Sequence, residues 1–296
     1  MDIGPYGIWT FQLDRMPSAQ ATDLVSELDE LGFGAVWIPE AVGREAFTNA
    51  SLLLRGGTDI VVATGIASIW ARDAMAAGAA QRTLTEAYPD RFLLGLGVSH
   101  LPMVQGVRGH TYAKPLSAMA AYLDGMDATL FLAPEPPVPL HRVLAALGPK
   151  MLELSRDRSD GACPYFVPPE HTAVARQILG DGPLLAVEQA VVFETDPTVA
   201  RQIARAHTGT YTELPNYVNN LRRLDPTLTE EDFADRGSDR LVDMIVAWGS
   251  DDAVAARIQA HRDAGADHVC VQVLQKGPLE PEVRWRHLAD VLGLSS

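Results

Sequence analysis

Eight short apolar runs alternate with stretches of helical periodicity along this chain, and that alternation restricts the fold more than any other feature. The runs are Tyr6–Thr10, Gly34–Pro39, Ile60–Ile69, Arg91–Val98, Val138–Leu147, Gly161–Phe166, Leu184–Phe193 and His268–Leu274. Between them, Ala21, Leu24, Val25, Leu28 and Leu31 recur at three- and four-residue spacing behind Ser18, the expected N-cap. Asp73–Ala87 is alanine-rich, Pro149 is suited to the first turn of a helix, Asp251–Ala264 opens on an acidic pair and stops at Gly265, and a helix is expected over Glu280–Leu292. Strands that alternate with helices form parallel sheets. Runs such as Phe92–Val98, apolar on both faces, suit strands covered on both sides. The economical solution is an α/β fold of the TIM (β/α)8 barrel type, in one domain over residues 1–296. A doubly wound open sheet is the alternative, but no G-x-G-x-x-G follows the first run, and Gly95-Leu96-Gly97 lacks the third glycine and a helix start.

Two places break the pattern. In the third run, Ile60–Ala63 is continuously apolar, then Thr64-Gly65-Ile66-Ala67-Ser68 interrupts it with a glycine and small residues before Ile69-Trp70. A glycine inside a strand marks a bulge or a close approach to the backbone, although from this segment alone simple packing accommodation is the commoner explanation. Residues 195–248 are too long for a plain connection and carry helical patterns of their own over Pro197–His207, Tyr211–Leu224 and Ser238–Trp248. We read them as a helical insertion after the seventh strand, over the face of the barrel where active sites form. Glu230-Glu231-Asp232 reads as a solvated helix start.

The net charge of −14 disfavours nucleic acid and anionic membranes as partners. Cys163 and Cys270 are too few and too far apart for a disulfide framework, and the scattered histidines lack metal-ligand spacing. Met1-Asp2-Ile3-Gly4 has no basic, apolar leader, and no apolar run reaches the roughly 20 residues of a bilayer span, so a cytoplasmic protein is expected. No G-x-S-x-G elbow supports serine hydrolase chemistry.

Barrel enzymes draw their working groups from the C-terminal ends of strands. That rule selects Glu40, the stretch from Ser68 to Arg72, Ser99-His100, Leu147-Gly148, Cys163 to Tyr165, and Gln272. His100 is the acid/base candidate, since imidazole titrates near working pH; a loop histidine bonded to a carbonyl is the alternative. Glu40 could orient a ligand amide or act as a base, or equally could be a capping or salt-bridged carboxylate. Leu147-Gly148-Pro149-Lys150 combines a glycine without Cβ, a helix-opening proline and a cation, which suits a phosphate; a helix-capping loop alone is the other reading. Arg72 is a second possible anion contact, with a surface pairing beside Asp73 as the other reading.

Leu31–Glu40, the Ala63–Ile69 segment, Arg91–His100 and Ala264–Val269 together resemble the luciferase-like monooxygenase superfamily, most closely its coenzyme F420-dependent oxidoreductases. The resemblance runs from about residue 3 to residue 292. It implies a deazaflavin ring at the C-terminal mouth of a TIM barrel, resting on a bulge with a non-prolyl cis peptide at Gly65-Ile66. It also implies catalytic roles for His100 and Glu40, and cofactor contacts from Gly65, Ile66, Ala67, Ser68, Arg72, Leu147, Gly148 and Cys163. The 195–248 segment becomes part of a substrate lid. Relatives often carry asparagine at Ser68, proline at Ala74 and histidine at Cys163, so cofactor affinity or substrate choice is expected to differ here.

The leading expectation is hydride transfer between coenzyme F420 and a small organic substrate. An FMN-dependent monooxygenase fed by a separate reductase is the alternative, and a non-catalytic ligand-binding barrel the third. A homodimer, with the 73–87 helix in its interface, is also expected.

Overall fold

The computed structural model describes residues 1–277 and 280–294. The described residues form ten parallel strands: β1 (Tyr6–Trp9), β2 (Ala35–Ile38), β3 (Val61–Thr64), β4 (Ala67–Ser68), β5 (Phe92–Gly97), β6 (Arg142–Leu144), β7 (Gly161–Ala162), β8 (Leu184–Val192), β9 (Ala247–Trp248) and β10 (His268–Val273). The hydrogen-bonded order β10-β1-β2-β3-β5-β6-β7-β8 closes on itself, because β8 also pairs with β10 from Ala186↔His268 to Val191↔Val273. The circuit is the closed eight-stranded barrel expected from the alternation. β4 continues β3 beyond the bulge and pairs with β5, and β9 extends the tail of β8.

Strand alternation splits the apolar residues into two cores. Ile8, Val36, Ile38, Val62, Phe92, Leu94, Leu96, Val269 and Val271 point outward and pack with the surrounding helices. Trp9, Ala35, Trp37, Val61, Ala63, Leu93, Ala186, Ala190 and Cys270 point inward. The base of the interior is closed by Trp37, whose indole N–H donates to His268 Nε2 at 3.1 Å, while His268 Nδ1 bonds Gly4 O at 2.8 Å. Only a glycine at position 7 leaves room for this histidine, since a Cβ there would lie 2.6 Å from its Nε2.

Several element boundaries differ from the sequence reading. β6 is confined to three residues and β7 to two, where longer runs were expected. Prolines precede the first; after the second, Pro164 has no N–H and Phe166 takes a left-handed φ of 60°, so pairing with β6 stops after Cys163 N donates to Leu144 O, while Pro164 O still accepts from Glu188 N of β8. Ser18 lies inside its helix, behind Pro17, and its side chain caps nothing. Asp73 does cap its helix, accepting from Ala76 N at 2.8 Å. The insertion forms helices Pro197–Tyr211, Pro215–Leu224, Glu230–Phe233 and Asp239–Ile245, and Glu230–Phe233 opens with a Thr229 capping box. Tyr217, Leu221, Phe233, Leu241 and Ile245 from these helices join the barrel-interior cluster, so the insertion covers the C-terminal mouth.

No described helix is long and apolar enough to cross a membrane.

Candidate active site

β3 ends at Thr64 and pairing resumes at Ala67; between them the Gly65–Ile66 peptide is cis, at the position implied by the resemblance. Gly65 N donates to Ile38 O at 2.7 Å, and Ile69 N to Gly97 O at 3.0 Å, so the interruption is tied to both neighbouring strands. Gly65 is packed against tryptophan: a Cβ would lie 2.8 Å from Trp9 Nε1 and 3.2 Å from Trp37 Cβ.

The segment after the bulge is held from the end of β2. Glu40 accepts from Ser68 N at 2.8 Å and from Ala46 N at 3.3 Å, and it forms a short ion pair with Arg72. Arg72 also pairs with Glu45 at 2.8 Å and donates to Ser68 O at 3.3 Å. The Glu40 side chain is 3% exposed. Of the two sequence readings of Glu40, the geometry matches the salt-bridged carboxylate; its oxygens are committed to the protein. Arg72 is likewise committed to two carboxylates, not free for an anion and not a surface partner of Asp73. Ser68 is buried, with Oγ accepting from Trp70 N at 3.3 Å.

His100 follows β5. Ser99 turns the chain with a left-handed φ of 54°, and Trp70 Nε1 braces the turn by donating to Val98 O at 2.8 Å. The imidazole lies beside the Asn216 side chain and 5.5 Å, centroid to centroid, from the Tyr217 ring. Burial lowers its pKa below the ordinary 6.5, against a smaller opposing effect of Asn216. A half-buried, neutral imidazole at the strand end can take a proton from a bound alcohol and return it.

After β6, Leu147 O bonds His171 Nε2 at 2.8 Å, and Gly148 caps the helix Pro149–Arg158, whose first turn holds no acid. Among the described residues, the missing Cβ of Gly148 would meet only Arg223 Nη1, 3.7 Å away. A helix N-terminus, a bare glycine and a guanidinium make a site for an anion.

Ile66, Val98, Ser99, His100, Ala145, Leu147 and Gly148 are all partly exposed, whereas Gly65, Ala67 and Ser68 are buried behind them. The rim therefore offers a strip from the bulge to the helix start, which fits a flat ring with a phosphate-bearing tail. Cys163 does not share the strip. It is buried in the barrel interior, 3.7 Å from where a Gly95 Cβ would sit, and burial pushes its thiol up to about 12. The barrel itself is filled. Tyr165 and Phe166 pack with Tyr211 and Tyr217 of the insertion, with ring centroids 4.8 to 6.4 Å apart. A planar ligand belongs on the rim, not in the bore.

Trp9, Asn216, Tyr217 and Arg223 were missed in the sequence. Trp9 was legible, since it ends β1 just as Glu40 follows β2. The other three come from the insertion, where no strand-end rule applies.

The sequence profile described as luciferase-like monooxygenase matches residues 9–268. A Mycobacterium tuberculosis protein provisionally named a coenzyme F420-dependent oxidoreductase is 26% identical over 206 residues, covering 60% of this chain and 58% of that protein. The match thus spans little more than half of that relative. Among solved structures, an F420-dependent secondary alcohol dehydrogenase in complex with an F420-acetone adduct superposes with a TM-score of 0.77 at 12% identity, over 98% of this chain and 99% of the other. The oxygenating constituent of 3,6-diketocamphane monooxygenase from Pseudomonas putida, in complex with FMN, superposes with a TM-score of 0.66 at 12% identity, over 99% and 97%. These structural likenesses share the barrel fold.

Proposed function

The chain belongs to the luciferase-like monooxygenase family, and from that membership we propose that it is an oxidoreductase transferring a hydride between coenzyme F420 and a small organic substrate. The observation that carries this reading is the single rim on which the Ile66 bulge, His100 and the helix start at Gly148 converge. When bound, the deazaflavin supplies the hydride donor or acceptor. Ile66, Val98 and Ala145 would bear its ring, and Gly148 with Arg223 its phosphate. Glu40 and Arg72 hold Ser68 in place behind the ring. His100 moves the single proton that accompanies hydride transfer to a carbonyl or from the corresponding alcohol, while the helices of the insertion exclude water.

An FMN-dependent monooxygenase with a separate reductase is the second reading, supported by the FMN-bound structural neighbour. Titrating the purified chain with F420 and with FMN, each followed by intrinsic fluorescence, separates the two. The expected result is saturable F420 binding and weaker FMN binding. Tight FMN binding with none of F420 would reverse the assignment.

A further inference from the structure

A cavity of about 410 Å³ opens between the C-terminal ends of β1 and β10, the helix Pro197–Tyr211 and Trp285. Trp9, Phe11 and Trp285 supply aromatic walls. Its polar groups are organised by a directed chain of hydrogen bonds. Tyr165 donates its hydroxyl proton to Gln272 Oε1 at 2.9 Å, so at the 2.8 Å contact between the two hydroxyls Tyr211 is the donor to Tyr165. The amide oxygen of Gln272 is thereby occupied. Its NH2 group has no partner among the described residues, and Gln272 lines the cavity. Arg15 lies at the same wall, exposed, with no ion-pair or hydrogen-bond partner among the described residues. No aspartate or glutamate is among the described lining residues, in a chain of net charge −14.

An acid-free pocket with a free guanidinium and a pinned amide N–H selects for an anionic acceptor, and its aromatic walls select for a planar apolar body. Trp9 connects this pocket to the rim, since its indole nitrogen lies where a Gly65 Cβ would clash. We propose that this cavity is the substrate pocket and that it takes a planar carboxylic acid, with the carboxylate at Arg15 and Gln272 and the body against Trp9, Phe11 and Trp285. The word substrate rests on the oxidoreductase reading above; the binding preference does not.

The test is calorimetric titration of the whole chain with 2-naphthoate, its neutral analogue 2-naphthamide and the cation 2-naphthylmethylamine, on wild type, Arg15→Gln and Gln272→Leu. Naphthoate is expected to bind wild type best and to weaken about tenfold or more in either variant. Naphthamide should be weaker in wild type and indifferent to Arg15→Gln. Equal affinity for acid and amide, unchanged naphthoate affinity in Arg15→Gln, or no binding of any probe would overturn the proposal. F420 and FMN are titrated on the same samples. Naphthoate binding without cofactor binding would sink the redox reading and leave the pocket, and cofactor binding without naphthoate binding would do the reverse.

Discussion

The carboxylate of Glu40, just beyond β2, accepts the backbone N–H of Ser68 at 2.8 Å and so bolts the far side of the bulge to a neighbouring strand. Arg72 closes the arrangement by pairing with the same carboxylate while donating to Ser68 O. Glu40→Ala removes one member of a buried ion pair and leaves Ser68 N unpaired. The expected loss is roughly 3 kcal/mol, at the low end for such a pair because Glu45 still holds Arg72. Urea unfolding of the variant checks it; a loss below about 1 kcal/mol would show that the bulge does not depend on this tie.

Gly65→Ala places a methyl 2.8 Å from Trp9 Nε1 and 3.2 Å from Trp37 Cβ, with both indoles buried. Overpacking of this kind costs about 1–3 kcal/mol. Gly106→Ala, where nothing among the described residues lies within 4 Å, is the matched control and should change stability by less than about 0.5 kcal/mol. Denaturation midpoints of the two variants give the comparison directly.

His100→Gln keeps a hydrogen-bonding side chain but cannot carry a proton at neutral pH. If the proposed F420-linked hydride transfer holds, turnover is expected to drop about 100-fold or more, with cofactor affinity within about threefold of wild type. Because burial lowers the imidazole pKa, the acid limb of the wild-type rate profile should fall below pH 6.5. An unchanged rate profile in the variant would remove His100 from the mechanism.

Glu188 lies inside the barrel with Oε2 accepting from Phe166 N at 3.2 Å and Oε1 without a partner among the described residues. Burial raises its pKa from 4.5 to about 8, so the folded state holds a proton that the unfolded chain releases. Stability attributable to this group is present below pH 4.5 and is lost as pH rises through about 8. Glu188→Gln, which stays neutral, should gain on wild type between about pH 5 and about pH 9, by an amount on the order of a few kcal/mol. Urea midpoints for both proteins across that range test the sign.

His261 shows the opposite dependence. Gln189 Nε2 is spent on Ala190 O and Ile245 O, so Gln189 Oε1 accepts from His261 Nε2, and His261 Nδ1 accepts from Thr172 at 2.8 Å. Burial, helped by Arg257 and His171, lowers its pKa from 6.5 to about 3. The unfolded chain therefore binds the proton first, and stability falls as pH drops from 6.5 toward about 3. His261→Gln should flatten this part of the acid-unfolding curve followed by circular dichroism, at some cost in stability near neutrality.

Particular residues show how far each kind of reading reached. Strand positions were legible wherever an apolar run was long, as in Phe92–Gly97 and His268–Val273, because two-sided burial leaves a continuous signature. They were misjudged at β6 and β7, where a few backbone hydrogen bonds set the element and apolar content does not end it. Composition singled out Gly65, and strand-end position singled out His100. Cys163 was misplaced because a residue just past a strand can face the bore or the rim, and nothing local distinguishes the two.

The order of apolar runs and helical periods determined the barrel, since a parallel sheet with both faces covered has few ways to close. What the polar residues do was decided only by tertiary structure. Glu40 lies 28 residues from Ser68 and Gln272 lies 107 from Tyr165. Whether a carboxylate is a base or a brace, and which amide N–H is left free, depends on partners that only the closed barrel and its helical cover bring within hydrogen-bonding distance.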